Sequence, residues 1–149
     1  MKLSQKIFYI LLPLVGGSII GLIINNYIDY DYLINPPLSP SSYIFPIVWS
    51  ILYLLIGISY YIYRKNNNNS LTIKLYYTQL IFNYLWSIIF FVFKLKLFAA
   101  IWVILLVIII IWLMIRFYQE EVLSFYLFIP YILWVLFATY LNIGIVILN

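Results

Sequence analysis

The sequence contains no cysteine and no histidine. Without cysteine the protein can form no disulfide bond, no reactive thiolate and no thiolate ligand for zinc or an iron–sulfur cluster. Without histidine it lacks the commonest general base and the commonest metal ligand. Together these absences exclude His-based metal sites and the usual axial ligation of haem. We therefore predict no metal site and no required cofactor.

Charged side chains are also scarce. They make up 8% of the 149 residues, against about a quarter in soluble globular domains, whereas hydrophobic residues make up 67% and aromatic residues 21%. The net charge of +4 is small, and no basic run is long enough for a nucleic-acid interface. This composition predicts an integral, multi-pass membrane protein whose main partner is the lipid bilayer, with no nucleic-acid partner.

Long apolar runs are what the sequence has in abundance. A run of about 20 residues can cross a bilayer as a helix, and the chain contains five such runs. We predict an all-α membrane protein in which residues 1–149 form a single five-helix transmembrane bundle, with spans at approximately 7–27, 43–63, 75–93, 97–117 and 123–148. Every connection except the first is short, which predicts that successive helices are antiparallel neighbours.

The first connection is longer and rich in proline. Pro36, Pro37 and Pro40 prevent a regular helix there. A structureless connection of about a dozen residues is unusual in a compact bundle and tends to be functional. We predict that Asp29 to Pro40 forms a lid that orders when a ligand binds, with Tyr32 as its contact. The alternative is a surface spacer with tyrosines at the membrane interface.

Polar and aromatic side chains within the spans fall on three helix faces. Helical spacing defines the members of each face. The face in the second span comprises Trp49, Tyr53 and Tyr60, and the face in the third span comprises Asn83, Trp86, Ser87 and Phe90. The face in the fifth span comprises Trp134, Ala138, Asn142 and Ile145. Such faces suit a pocket for a large, flat, mostly apolar ligand. The alternative is ordinary helix packing, with interhelical hydrogen bonds of about 1 kcal/mol each. The middle of each span lacks ionisable residues, which argues against a proton-coupled pump or a channel with charged rings.

Three blocks of sequence carry a more specific signal: Asn35 to Pro40 with Phe45 to Tyr53 (NPPLSP and FPIVWSILY), Gln79 to Ser87 (QLIFNYLWS), and Pro130 to Asn142 (PYILWVLFATYLN). In this order they resemble the second, third and fifth helices of the translocator protein family. This family is also known as the peripheral benzodiazepine receptor or tryptophan-rich sensory protein family. The resemblance covers nearly the whole chain, including its length and its five spans.

The resemblance implies a pocket between the helices, closed by the first loop, that binds porphyrins, sterols or synthetic benzodiazepine-type ligands. The positions that line the family's pocket are occupied here by Trp49, Tyr53, Asn83, Phe90, Trp134 and Ala138, to which helical spacing adds Trp86. Tyr32 falls where the family has an aromatic residue in the lid. The chain departs from the family at Pro40-Ser41-Ser42-Tyr43, where Pro-Pro-Gly-Trp is usual. It also has no Lys or Arg after Tyr140, as the sterol pattern of animal members requires.

The function that follows from the resemblance is a membrane binding or sensory protein for tetrapyrroles (porphyrins) and similar flat hydrophobic ligands. One alternative is a light-dependent porphyrin-degrading enzyme in which Trp49 and Trp134 would be catalytic. Another is a small transporter of porphyrin- or sterol-type ligands. Loss of porphyrin absorbance in light would distinguish the enzyme from the other two functions. Movement of the ligand across the membrane of sealed vesicles would distinguish the transporter from a passive binding protein. The small residues Gly17 and Gly21 permit close packing either within the chain or in a homodimer.

The positive charges predict the orientation in the membrane. Six lie on the side of the N-terminus, at Lys2, Lys6, Arg64, Lys65, Lys74 and Arg116, and two on the other side, at Lys94 and Lys96. By the positive-inside rule the N-terminus faces inward and the C-terminus outward. Single cysteines introduced at Asn67 and Asn149 should therefore react with an impermeant thiol reagent from opposite faces of the membrane. Reaction of both from one face would contradict the five-span topology.

Overall fold

The computed structural model describes residues 1–28 and 33–149. In chain order the helices are α1 (Leu3–Ile24), α2 (Ile44–Asn66), α3 (Ser70–Ser87), α4 (Lys96–Glu120) and α5 (Val122–Leu148). A 3₁₀ turn at Asn25–Tyr27 prolongs α1, and a π-helical turn at Ile88–Val92 prolongs α3. Within the described residues five helices are long and apolar enough to cross a membrane. The prediction of a five-helix transmembrane bundle is confirmed, and the protein is an integral multi-pass membrane protein.

Some helices extend past the apolar runs, because a capped helix continues through polar residues. The third helix begins at Ser70, whereas the apolar run begins near Leu75. The Asn69 side chain accepts hydrogen bonds from the backbone N–H groups of Leu71 (3.0 Å) and Thr72 (3.3 Å). These bonds satisfy two of the donors that a helix N-terminus leaves unpaired.

The helices pack in the order α1, α2, α5, α4 and α3 around the bundle, and α3 also contacts α1. The backbones of α3 and α4, and those of α4 and α5, pack closely, whereas those of α2 and α3 approach each other little. Large side chains fill the space between these two helices. Tyr60 of α2 and Tyr76 of α3 are fully buried and stack with ring centroids 3.8 Å apart.

The buried core lies between α2, α3, α4 and α5, whereas α1 buries only Pro13. Most other apolar side chains of α1 point away from the bundle, as with Leu22, which is 77% exposed. In a bilayer such a surface contacts lipid. The hydroxyl of Tyr84 in α3 donates to the carbonyl of Pro13 (2.7 Å), and this bond ties α1 to the rest of the bundle.

At the end of the bundle opposite the first loop, polar residues join three helices through Glu120 of α4. The hydroxyls of Tyr63 and Thr72 donate to its two carboxylate oxygens (2.9 and 2.6 Å). Arg116 lies 3.4 Å from the same carboxylate and donates to the Thr72 hydroxyl (3.2 Å). Because these residues come from α2, α3 and α4, the network fixes the helix ends that lie far from the first loop.

The closest approach of α1 and α2 occurs at Gly57. A Cβ atom there would overlap the backbone carbonyl of Ile10, and a backbone atom cannot move aside as the end of a side chain can. We predict that Gly57→Ala destabilises the protein by about 1–3 kcal/mol, the usual cost of overpacking. The measurement is the thermal unfolding midpoint in detergent.

Gly21→Ala is the matched control, because a Cβ at Gly21 would meet nothing within 4 Å. Alanine is favoured over glycine inside a helix by about 1 kcal/mol, so this variant should unfold at the same temperature as the wild type or higher. Equal midpoints for Gly57→Ala and Gly21→Ala would contradict the close contact.

Candidate functional site

A chain of hydrogen bonds between buried side chains crosses the middle of the bundle. Tyr53 of α2 donates to Asn83 Oδ1 (2.6 Å), Asn83 Nδ2 donates to the hydroxyl of Tyr131 in α5 (2.9 Å), and Tyr131 donates to Gln79 Oε1 (2.8 Å). All four residues are buried. The chain links α2, α3 and α5, whose side chains also surround the cavity described next.

A cavity of about 430 Å³ lies between α2, α3, α5 and the first loop; we call it the central cavity. Its volume falls in the range of about 300–1,000 Å³ that is usual for small-molecule sites. The helices and the π turn contribute Phe45, Trp49, Trp86, Phe90, Phe91, Trp134, Ala138, Leu141, Asn142 and Ile145. The loop side carries Leu33, Asn35, Ser39, Pro40 and Ser42.

Aromatic rings from different helices meet around this cavity. Trp49 and Trp134 are perpendicular with centroids 6.5 Å apart, and Phe45 lies 5.9 Å from Trp134. Trp49 also stacks on Tyr53 at 5.4 Å. Trp134 Nε1 is buried and has no hydrogen-bond partner within the described residues. An unpaired buried donor carries an energetic cost, which a bound acceptor would remove.

Trp86 is held in place by a bond that crosses from α3 to α5. Its Nε1 donates to Asn142 Oδ1 (2.9 Å), and Asn142 Nδ2 donates to the backbone carbonyl of Lys96 at the start of α4 (3.0 Å). The π turn that follows Trp86 places both Phe90 and Phe91 at the cavity. Turns of this kind occur frequently at functional sites.

The part of the first loop that lines the cavity is attached to α5. The Asn149 side chain donates to the Ile34 carbonyl (2.9 Å) and accepts from the Ile34 N–H (3.1 Å). Tyr140 donates to the Pro37 carbonyl (2.6 Å). A Cβ at Gly144 would lie 2.6 Å from the Pro36 ring, so the loop packs directly on the helix. We call these bonds and this packing the loop–α5 contact.

A second cavity of about 450 Å³ lies between α1, α2 and α3; we call it the side cavity. Its α1 surface includes Gly17, Ser18 and Gly21, and its α2 surface includes Tyr53. Gly17 packs against the Tyr53 ring, whereas Gly21 has open space beside it. Gly17 thus packs within the chain, and a homodimer stays a prediction.

The predicted pocket residues separate into groups. Trp49, Trp86, Phe90, Trp134 and Ala138 line the central cavity, Tyr53 lines the side cavity, and Asn83 belongs to the hydrogen-bond chain between Tyr53 and Tyr131. Tyr32, predicted to be the lid contact, lies outside the described residues. The structure therefore brings five of the predicted side chains to one cavity.

Several lining residues were missing from the predicted set. Asn142 and Ile145 were not among the residues predicted to contact a ligand, although the predicted helical face of Trp134 and Ala138 already included them. Phe91 could not be found from helical periodicity, because five-residue spacing brings side chains together only in a π turn. The loop residues have no helical periodicity that would indicate which way their side chains point.

Comparisons of the sequence with known proteins identify the family. The sequence model described as the TspO/MBR family matches residues 9–148. The tryptophan-rich protein TspO of Archaeoglobus fulgidus is 38% identical over 117 residues, covering 77% of this chain and 76% of that protein. The tryptophan-rich protein TspO of Chlorobaculum tepidum is 33% identical over 124 residues, covering 80% of this chain and 78% of that protein. The tryptophan-rich sensory protein of Cereibacter sphaeroides is 31% identical over 125 residues, covering 80% of this chain and 76% of that protein. The chain belongs to the TspO/MBR family.

Proposed function

We propose that this protein binds flat, largely apolar ligands of the tetrapyrrole class in the central cavity. The observation that carries the proposal is the set of aromatic rings from α2, α3, the π turn and α5 around one ligand-sized space. Rings in offset or perpendicular contact contribute about 0.5–1.5 kcal/mol each beyond the area they bury. A planar conjugated ligand can make such contacts with several rings at once.

The distribution of polar groups supports an amphipathic ligand. Asn35 and Ser42 bring polar side chains to the loop side of the cavity, where the Ser39 hydroxyl donates to the Pro36 carbonyl (2.7 Å), whereas the helix side is mostly apolar. A porphyrin with carboxylates along one edge matches this arrangement, with its macrocycle between the helices and its carboxylates towards the loop.

Sterol binding of the animal type has less support. The Tyr140 hydroxyl is engaged with Pro37 in the loop–α5 contact, and no basic residue follows Tyr140 in the chain. We therefore expect tighter binding of protoporphyrin than of cholesterol. The name of the relative in Cereibacter sphaeroides, a tryptophan-rich sensory protein, is consistent with a protein whose ligand acts as a signal.

The test is a tryptophan-quenching titration of the purified protein with protoporphyrin. We expect an affinity in the micromolar range, weakened about fivefold or more by Trp49→Ala or Trp134→Ala, because loss of one ring contact removes about 1 kcal/mol. Cholesterol serves as the comparison ligand.

Trp112→Ala is the matched control, since Trp112 lies on α4, is 49% exposed and lines neither cavity. Its affinity should equal that of the wild type. If Trp49→Ala and Trp134→Ala both leave the titration unchanged, the central cavity is not the binding site.

The loop–α5 contact leads to a further prediction about the lid. Asn149→Ala removes both hydrogen bonds to the Ile34 backbone. Since each bond contributes about 0.5–1.5 kcal/mol, hydrogen exchange at the Ile34 amide should become roughly tenfold faster. Asn68→Ala, an exposed change in the turn between α2 and α3, should leave this exchange rate unchanged.

Protoporphyrin should slow exchange at the amides of Leu33, Ile34, Asn35, Leu38 and Ser39 in the wild type, because a bound ligand would contact the loop side of the cavity. Identical exchange rates without protoporphyrin and at saturating protoporphyrin would mean that the loop is a fixed spacer and not a lid.

A further inference from the structure

The central and side cavities share four aromatic residues. Phe45, Trp49, Trp86 and Phe91 line both spaces; we call this set the aromatic partition. Its members belong to α2, α3 and the π turn, and their side chains border both cavities. A change of rotamer can therefore join the cavities without any break in a helix.

The π turn supplies one member of the partition, Phe91, and sets it against a second, Trp86. Trp86 and Phe91 are five residues apart, yet their rings contact each other at a centroid distance of 6.5 Å. The turn closes through a bond from the Phe93 N–H to the Ile88 carbonyl (3.2 Å), one residue wider than an α-helical bond. Trp86 is fixed by its bond to Asn142, whereas the Phe91 side chain carries no hydrogen-bonding group. Rotation of Phe91, like that of Phe45, therefore breaks no side-chain hydrogen bond, and of these two Phe91 is the one that lies in the π turn beside Trp86.

The α1 surface of the side cavity leaves room for a ligand. It includes the small residues Gly17, Ser18 and Gly21, and a Cβ added at Gly21 would meet nothing within 4 Å. The Ser18 hydroxyl donates to the Leu14 carbonyl in its own helix (2.7 Å), and the Ser50 hydroxyl on the α2 side donates to the Pro46 carbonyl (2.7 Å). Both hydroxyls are therefore already bonded, and the space suits an apolar group.

We propose that the two cavities form one two-part binding site for flat hydrophobic ligands that are larger than either cavity, with Phe91 as the residue that moves to admit them. This rests on the proposed function. The cavities hold about 430 and 450 Å³, each in the lower half of the range of about 300–1,000 Å³ for ligand sites. The combined volume of the two cavities approaches the upper end of this range. A tetrapyrrole would then reach from the central cavity past Trp49 into the side cavity, whereas a ligand of two or three fused rings fits the central cavity alone.

The test fills the side cavity and compares a large ligand with a small one. Gly21→Phe places a ring in the open space beside α1, and Ile19→Phe places the same ring on α1 at a position that is 54% exposed and lines neither cavity. Binding of protoporphyrin and of acridine is measured by calorimetry in lipid nanodiscs, with the signal of empty nanodiscs subtracted. Unfolding midpoints of both variants confirm that they fold.

We expect Gly21→Phe to weaken protoporphyrin binding by about tenfold or more, since a filled space must be emptied or avoided, and to change acridine binding less than about twofold. Ile19→Phe should change neither. Phe91→Ala should tighten protoporphyrin binding about fivefold, because no ring then has to be displaced, and leave acridine binding the same or weaker through the lost contact.

Each other outcome overturns the inference. If Gly21→Phe weakens neither ligand, the side cavity is not part of the site and is filled by a lipid acyl chain or left open. If it weakens both equally, the two cavities do not discriminate by size. A wild-type protein that does not bind protoporphyrin removes the proposed function as well as the two-part site. If it still binds acridine, the central cavity remains only as a site for smaller flat ligands.

Discussion

Asn83 lies where α2, α3 and α5 meet, it is almost fully buried, and in a bilayer no water reaches it to satisfy its amide. Its oxygen accepts from Tyr53 and its nitrogen donates to Tyr131. Removal of any one partner would leave a polar group unpaired in an apolar surrounding, at a cost of about 1–3 kcal/mol. This constraint holds the three helices in one relative position. Those helices carry the aromatic residues of the central cavity, so the cavity depends on the hydrogen bonds beside it.

The spacing of α2 and α3 follows from the same residues. Two adjacent transmembrane helices with small residues at their interface would approach closely and leave no cavity. Here tyrosines occupy the interface, and the buried stack of Tyr60 on Tyr76 keeps the backbones apart. Tyr53 precedes Tyr60 on α2, and its ring turns towards α1, where Gly17 accommodates it. The two cavities on either side of Trp49 are a consequence of this wide spacing.

Much of the fold could be predicted from the sequence, because hydropathy identifies helices that must satisfy their backbones in lipid. Helical periodicity also places Trp49, Trp134 and Ala138 on inward faces, and they do line one cavity. Periodicity says which face a residue shares but not which neighbouring helix that face meets, so it could not show that the Tyr53 ring packs against Gly17 of α1 and lines the side cavity. The attachment of Ile34 to Asn149 joins residues 115 positions apart, and no local pattern in the sequence indicates such a contact.

Helix α5 has two roles that the sequence does not connect. Trp134 and Ala138 form part of the central cavity, and one to three turns further along, Tyr140, Gly144 and Asn149 hold the first loop. Because a helix is stiff over this length, a displacement of its cavity face by a ligand also displaces the surface to which the loop is attached. The loop can therefore respond to an occupied cavity without touching the ligand itself. The helix that lines the central cavity and the helix that positions the loop are the same one, and through this link the proposed binding would reach the loop.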